Sequence, residues 1–170
     1  ARLKWPGYYN GSPEGAWYLP PKTLEKIIDA YHAEGMHLHI HTNGDEATEV
    51  TIGALEAALT RHPRADHRHT LQHCQMAEEA HFRRMAKLGI CANLFANHIF
   101  YWGDQHFELT MGPDRAARMD ATATAKRHGI HFGIHSDAPV TPLGPIFTAW
   151  CAVNRKTASG RTLGEQEKIS

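Results

Sequence analysis

The sequence lacks an excess of charge of either sign. Its 18 lysine and arginine residues balance 18 aspartate and glutamate residues, so the formal net charge is zero with histidine counted as neutral. A surface that binds nucleic acid or an acidic membrane usually carries an excess of basic residues. We therefore expect neither nucleic acid nor a membrane among the partners of this chain.

The sequence also lacks long hydrophobic runs and paired cysteines. No apolar run reaches the roughly 18 residues of a membrane span, and the first ten residues, ARLKWPGYYN, lack the regions of a signal peptide. Cys74, Cys91 and Cys151 are widely spaced and form no CxxC pair, so neither a disulfide framework nor a cysteine zinc site is indicated. These absences predict a protein of a reducing compartment, the cytoplasm.

Histidine is the residue type in clear excess, with 14 copies. Imidazole binds borderline metal ions and transfers protons near neutral pH. Three histidines alternate with apolar residues in MHLHIHTNGDEA (36–47), so in a strand they share one face. Because same-face neighbours lie roughly 6.6 Å apart along a strand, one cation can bind two of them at most. His41, nearest the turn, is the best placed.

Hydrophobic periodicity predicts four successive β-then-α units after an N-terminal loop and helix. The predicted strands are 36–41, 67–74, 90–96 and 130–138, and the predicted helices are 23–35, 46–62, 78–89, 114–129 and 146–156. The segment between the third strand and residue 114 is predicted to be a long loop. Such repetition indicates a parallel sheet with right-handed crossovers, in either an open doubly wound sheet or part of a barrel.

Two features favour the barrel. Polar side chains follow all four predicted strands, namely His41, His73, Asn97 and Asp137. In a (β/α)₈ barrel the carboxyl ends of all strands converge on one site, whereas an open sheet gathers only those beside its switch point. In addition, no GxGxxG or GxxxxGK[ST] loop follows any strand, so a nucleotide-binding open sheet would lack its phosphate loop.

Four units make half of such a barrel, which needs eight strands and about 250 residues. The chain begins without a strand to precede its first helix, and Ser170 resembles the N-cap of a helix that does not follow. We therefore expect residues 1–170 to form one α/β unit, the C-terminal half of a TIM-type barrel. The expected partner is the missing half of the same barrel, and a homo-oligomer is also considered.

Three short segments carry the candidate chemistry: HTNGDEA, LQHCQ and HSDAPVTPLGP. Each supplies an imidazole or a carboxylate where a predicted strand gives way to a loop. Two imidazoles and one carboxylate suit Zn²⁺ and leave a coordination position open for water. A metal-activated water can attack a carbonyl carbon, and a nearby aspartate can carry its proton to the leaving nitrogen.

At these segments the sequence resembles the amidohydrolase superfamily, and within it the YtcJ-like branch that includes N-substituted formamide deformylases. The family motif H-x-x-G-D-x-A after strand five is matched by His41, Gly44, Asp45 and Ala47. The motif E-H-x-Q at strand six is matched by His73 and Gln75. The motif S-D-x-P-V-x-P after strand eight is matched by Ser136, Asp137, Pro139, Val140 and Pro142. The resemblance covers nearly all 170 residues.

The resemblance implies metal-dependent hydrolysis of a C–N bond in a small amide, formamide or cyclic amide. It implies that His41, His73 and Asp137 bind a divalent metal, Zn²⁺ as one or two ions, and that Asp137 is also the general base. The family's first-strand H-x-H pair and strand-four lysine or glutamate have no counterpart in this part of the barrel. We therefore expect the chain alone to be inactive or very weak.

Two residues depart from the family pattern. Gln72 stands where the family has a glutamate, and His135 stands where it commonly has a glycine. Both positions orient a metal ligand, so we expect altered metal affinity and substrate range with the reaction type kept. The residues expected behind the ligands or against the substrate are Asp45, Gln72, His98, Trp102 and His135.

Several alternatives stay open. Asp45 can serve only to cap the following helix, and the segment 97–106, NHIFYWGDQH, can serve loop packing instead of substrate binding. The other strand histidines are expected to be hydrogen-bonded core residues: His37, His39, His67, His69, His131 and, as the alternative to a site role, His135. The alternative function is a noncatalytic metal-binding or regulatory module with the same fold.

Overall fold

Four short parallel strands form one sheet in the computed structural model, which describes residues 1–170. The strands are β1 (His39–Thr42), β2 (Thr70–His73), β3 (Cys91–Leu94) and β4 (Phe132–Ile134). Their order in the sheet is their order in the chain, and all three pairings are parallel. A doubly wound sheet reverses its strand order at a switch point. The sheet of this chain has no such reversal, as expected for a fragment of a barrel.

Helices connect the strands of the sheet. They are α1 (Pro21–Ala33), α2 (Asp45–Arg61), α3 (Glu79–Leu88), α4 (Asn97–Gln105), α5 (Gly112–Ala117), α6 (Thr122–Arg127) and α7 (Pro145–Asn154). A π-helical turn at His106–Thr110 follows α4, and a 3₁₀ turn lies at Glu165–Glu167. None of the helices combines the length and the apolar composition needed to cross a membrane.

The main core lies between the sheet and α2, α3 and α6. It contains 16 buried residues, among them Leu55, Leu71, Phe82, Met85 and Leu94. The even-numbered residues of β1 and β4, such as Ile40 and Ile134, pack against this core. Strand alternation therefore directs the odd-numbered residues of these two strands to the opposite face.

The prediction that the strand histidines other than His41 and His73 are hydrogen-bonded core residues is wrong for three of them. His67 and His69 are buried and hydrogen-bonded, but His37, His39 and His131 are exposed. The three exposed residues have odd numbers and precede or belong to β1 and β4. They lie on the face of the sheet that does not pack against the helices.

Two further predictions about the segment 97–129 are wrong. The predicted long loop contains α4 and the π turn, and the single helix predicted over 114–129 is two short helices, α5 and α6. The break contains Asp120, whose φ of 48° lies in the left-handed region. The buried guanidinium of Arg155 donates to the carbonyl oxygens of Met119 (2.8 Å) and Asp120 (3.0 Å), which replaces the hydrogen bonds of a continuous helix.

An apolar groove of about 830 Å³ runs along the outer side of β1. The N-terminal loop supplies Trp17, α1 supplies Ile27 and Tyr31, and β1 with the residue before it supplies Ile40 and Leu38. On this side β1 pairs with no other strand, so its backbone groups face the groove unpaired.

Candidate metal centre

The carboxyl ends of β1, β2 and β4 bring three predicted site residues together with His135. A ring nitrogen of His73, a ring nitrogen of His135 and a carboxylate oxygen of Asp137 all lie within 4.8 Å of one another. The His41 ring lies outside this group of three, but it contacts the His73 ring edge-on with 4.5 Å between centroids. The His73 and His135 rings are 4.9 Å apart.

Left-handed backbone conformations position two of these residues. His73 has a φ of 68° and Cys74 a φ of 50°, while Asp137 has a φ of 54°. Regular alternation would direct His73 to the same side as Leu71, which is part of the helix-packed core. The left-handed turn at the end of β2 instead brings the His73 ring against His41. Such conformations are costly for non-glycine residues and cluster at functional sites.

Gly44, in the first motif, allows the N-terminal loop to approach the start of α2. A Cβ atom at Gly44 would lie 1.6 Å from the carbonyl oxygen of Arg2. Any other residue would push this loop away from the turn between His41 and α2. The glycine therefore fixes the backbone beside the centre.

The imidazoles of the centre favour the neutral form. Burial, with a smaller contribution from the neighbouring His41 and His135, lowers the pKa of His73 to about 4. Burial also lowers the pKa values of His41 and His135, although the Asp137 carboxylate opposes the shift in both. At pH 7 the rings are therefore mainly neutral, and neutral imidazole is the form that binds a metal ion.

Several buried polar atoms of the centre have no hydrogen-bond partner. These atoms include Nδ1 of His73 and Nε2 of His135. The other ring nitrogen of His135, Nδ1, accepts a hydrogen bond from the backbone N–H of Asp137 at 3.1 Å. Because buried polar groups are nearly always paired, these unpaired nitrogens are candidates for contact with a ligand.

His98 and Trp102 lie beside the centre on α4. The His98 ring packs against Phe95 at a tilt of 46° with 4.0 Å between centroids, and it is 6.5 Å from the His73 ring. Trp102 meets His98 edge-on at 5.6 Å. Both residues therefore lie beside the candidate metal centre. They are on α4, where the sequence analysis predicted a loop.

Asp120 is a buried carboxylate that the sequence interpretation missed. Both of its oxygens lack a hydrogen-bond partner, and its nearest ring nitrogen is Nδ1 of His98 at 3.6 Å. Burial raises the pKa of Asp120, while His98 and Arg155 oppose the shift. The sequence around Asp120, RMDATA, matches no motif. The position of Asp120 beside His98 depends on the break between α5 and α6, so the local sequence could not predict it.

His106 was also missed. The Gln75 side-chain amide donates to its Nε2 at 3.0 Å, and its Nδ1 then donates to the Thr110 hydroxyl at 2.7 Å. Burial lowers the pKa of His106 to about 4, and His98 adds to the shift. Gln75 belongs to the second motif, but its partner could be found only from the three-dimensional arrangement.

Gln72 and Asp45 do not reach the cluster. The Gln72 amide donates to Nδ1 of His39 at 2.5 Å and accepts from the Asn93 amide at 2.8 Å, which links β1, β2 and β3. Asp45 is the first residue of α2, and its carboxylate accepts the backbone N–H groups of Lys4 (2.8 Å) and Glu46 (2.9 Å). It ties the N-terminal loop to the helix terminus.

The fold and these strand-end side chains define an α/β chain with a polar centre at the carboxyl edge of a parallel sheet. The family model described as "Amidohydrolase family" matches residues 8–170. The chain therefore belongs to the amidohydrolase family, as the motifs predicted.

Two curated relatives agree with this assignment. The chain is 30% identical over 174 residues to YtcJ of Bacillus subtilis (strain 168), an amidohydrolase by name, with 98% of this chain and 31% of the relative covered. It is 31% identical over 139 residues to an N-substituted formamide deformylase of Arthrobacter pascens, with 80% of this chain and 25% of the relative covered. The chain thus spans less than a third of the length of these relatives.

Two solved structures share the fold. A metal-dependent hydrolase from Pyrococcus furiosus superposes with a TM-score of 0.80 at 20% identity, covering 99% of this chain and 33% of that structure. One from Pyrococcus horikoshii OT3 has the same TM-score at 22% identity, covering 98% and 32%. Four parallel strands that match a third of a larger chain are consistent with a fragment of a barrel.

Proposed function

We propose that this chain is part of a metal-dependent hydrolase that cleaves the C–N bond of a small amide, formamide or cyclic amide. The observation that carries the proposal is the meeting of His73, His135 and Asp137 within 4.8 Å in a chain of the amidohydrolase family. The names of the two curated relatives, an amidohydrolase and an N-substituted formamide deformylase, support hydrolysis of a C–N bond.

The residues present fit a divalent metal ion such as Zn²⁺. Neutral imidazole nitrogens and a carboxylate oxygen are its usual ligands. Nδ1 of His73 is buried and has no hydrogen-bond partner. In this proposal His41, His73 and Asp137 hold one or two ions, and His135 lies in contact with two of these ligands. When bound, the ion would lower the pKa of water to about 7 and polarise a carbonyl oxygen.

Asp137 has the proton-transfer role in the proposed reaction. Water adds to the carbonyl carbon of the substrate, and the Asp137 carboxylate accepts a proton from that water. Asp137 then donates this proton to the nitrogen as the C–N bond breaks, which releases an acid and an amine. Trp102 and His98, beside the cluster, are the proposed wall of the substrate pocket.

The remainder of the barrel is the proposed partner of this chain. The unpaired edge of β1 and the groove beside it offer a strand edge with an apolar surface, as a neighbouring β/α unit would need. The missing part would supply further ligands, so the chain alone is proposed to have little or no activity. The proposed compartment is the cytoplasm.

The test is hydrolysis of a panel of amides, formamides and cyclic amides by the full-length protein. We expect turnover that is lost on chelation and that falls about 10²- to 10⁴-fold in kcat for Asp137→Asn. Asp114→Asn, an exposed carboxylate on α5, is the matched control and should keep full activity. Metal binding without turnover on the whole panel would favour the noncatalytic module. Full activity of the Asp137→Asn variant would exclude Asp137 as the general base.

A further inference from the structure

A second histidine cluster lies at the opposite end of the sheet from the candidate metal centre. We call it the amino-end cluster, and its buried members are His32, His67 and His69. His32 is in the last turn of α1, while His67 and His69 precede β2. The cluster therefore joins α1 to the start of the sheet, and the proposed hydrolysis does not use it.

The hydrogen bonds of the cluster fix the position of each ring proton. Nδ1 of His69 accepts the backbone N–H of Leu38 at 3.2 Å, so it carries no proton. The proton of the neutral ring is then on Nε2, which faces Nδ1 of His32 at 2.9 Å. Nε2 of His32 faces the carbonyl oxygen of His62 at 2.8 Å and must be the donor there. Every ring nitrogen of this pair is used, and both rings are neutral.

His67 has the same tautomer. Its Nδ1 accepts the backbone N–H of His69 at 3.0 Å, and its Nε2 donates to the carbonyl oxygen of Leu88 at 2.7 Å. The His67 and His69 rings stack with 4.5 Å between centroids. The hydrogen bonds of these three neutral rings thus connect α3, the start of β2 and α1.

Adding a proton to this chain brings two donors face to face. A proton on Nδ1 of His69 would oppose the N–H of Leu38, and a proton on Nδ1 of His32 would oppose the Nε2–H of His69. An unmade or repulsive hydrogen bond in a buried site costs more than the bond contributes when made. Protonation therefore favours a state in which these hydrogen bonds are broken, which we call open. It disfavours the closed state, in which they are made.

The surrounding groups do not stabilise an imidazolium ion. The guanidinium of Arg64, between α2 and β2, lies 3.5 Å from Nε2 of His69, and the His37 ring before β1 is 6.5 Å from the His69 ring. On α1, Asp29 binds Arg61 at 2.7 Å and lies 3.9 Å from His62. Burial lowers the pKa of His69 to about 3, and the neighbouring basic groups add to the shift.

We propose that the His32–His69 pair is a pH-sensitive latch, which holds α1 on the amino end of the sheet and opens in mild acid. Opening moves α1 away from β1, and α1 supplies one wall of the apolar groove beside β1. The latch itself lies at the end of the sheet away from the candidate metal centre, and it couples pH to the shape of the groove, which extends along β1 to His41.

The direction of the effect follows from proton linkage. Because the pKa of His69 in the closed latch lies below its value of about 6.5 in an open chain, the open state binds more protons. The latch is fully stable above about pH 6.5 and loses up to about tenfold in its closing equilibrium for each pH unit below it. The loss continues as the pH falls toward the pKa of the closed state.

The first test reads the ring protons of the full-length protein, ¹⁵N-labelled at histidine, by long-range ¹H–¹⁵N NMR between pH 7.5 and 5. We expect His32, His67 and His69 to be neutral with the proton on Nε2 at pH 7.5. Exchange protection of the α1 amides, normalised for intrinsic rates, should fall about fivefold more than that of α3 between pH 6.5 and 5.5. A proton on Nδ1 of His69, or equal changes in α1 and α3, would overturn the proposal.

The second test compares His69→Gln with His131→Gln, a matched control at an exposed histidine before β4. His69→Gln should remove the pH dependence of α1 protection, whatever its effect on overall stability. His131→Gln should behave as the original chain. If His69→Gln does not fold, the ring-proton measurement decides, and an unaltered pH dependence in a folded His69→Gln variant contradicts the latch.

Discussion

His135 is the residue in which this centre differs most from the family pattern, where a glycine is common. Its ring stacks on Phe95 at 5.1 Å and contributes one of the three nitrogen and oxygen atoms that lie within 4.8 Å. Its Nδ1 also accepts the backbone N–H of Asp137. A glycine can make none of these contacts, so His135 contributes both to the ligand cluster and to the position of Asp137.

We expect His135→Gly to weaken metal binding by about 10- to 100-fold in the full-length protein, the effect usual for groups that orient a ligand. Titration with Zn²⁺ or with Co²⁺, whose absorption spectrum reports ligand geometry, measures the change. His131→Gln, four residues earlier on the same chain segment, is the control. An unchanged affinity and spectrum would mean that His135 only fills space beside Phe95.

The three cysteines are free, as their spacing predicted, and they differ in accessibility. Burial raises the pKa values of Cys74 and Cys151 to about 12, so the reactive thiolate is scarce at neutral pH. Cys91 is only partly buried. Iodoacetamide at pH 8 should therefore modify Cys91 well before Cys74 or Cys151, as read by peptide mass spectrometry. Equal labelling of the three in the folded chain would contradict this burial pattern.

At the scale of elements, α4 shows why a sequence pattern can miss a helix. Its N-cap position is Ala96, whose side chain cannot cap the helix, and the usual start signal is absent. Buried contacts of Asn97, His98 and Ile99 stabilise its first turn instead. Tertiary packing, which the local pattern does not contain, therefore determines this helix and its two candidate site residues.

The junction between α7 and the α5–α6 break depends on Arg155. Its fully buried guanidinium donates to three carbonyl oxygens, those of Leu163 (2.6 Å), Asp120 (3.0 Å) and Met119 (2.8 Å). The side chain of lysine has one ammonium group and lacks the planar fork that reaches all three. The geometry of Asp120 beside His98 thus depends on a residue 35 positions away.

Arg155→Lys should lower the free energy of unfolding by about 2–4 kcal/mol, because it leaves buried carbonyl groups unpaired. Urea denaturation measures the loss. Arg127→Lys on α6, where the arginine is exposed, is the matched control and should change stability by less than about 0.5 kcal/mol. Equal stability of the two variants would show that water replaces the lost hydrogen bonds.

At the scale of the whole molecule, the sheet has two free edges, β1 and β4. Unpaired strand edges beside apolar surface favour association with other chains. The exposed apolar side chains Val140, Leu143 and Ile146 after β4 add to this surface. The chain therefore has the features of a unit that is completed by further strands.

We expect the isolated chain to associate with itself as its concentration rises, and the full-length protein to do so much less. Light scattering after size-exclusion chromatography measures both. Ile146→Lys, at a side chain that is 84% exposed, should reduce association without a loss of fold. A chain that stays monomeric at high concentration would contradict this expectation.

The sequence by itself determined the family, the parallel α/β fold and the residues that end each strand. His41, His73 and Asp137 could be named as candidates from the sequence because each lies in a short motif where a strand turns into a loop, and such signals are local. Only the tertiary structure decided that His135 joins His73 and Asp137, that Asp120 faces His98, and that His32 and His69 are hydrogen-bonded to each other. These pairs depend on left-handed turns, helix breaks and contacts between distant strands, and periodicity along the chain carries no information about them.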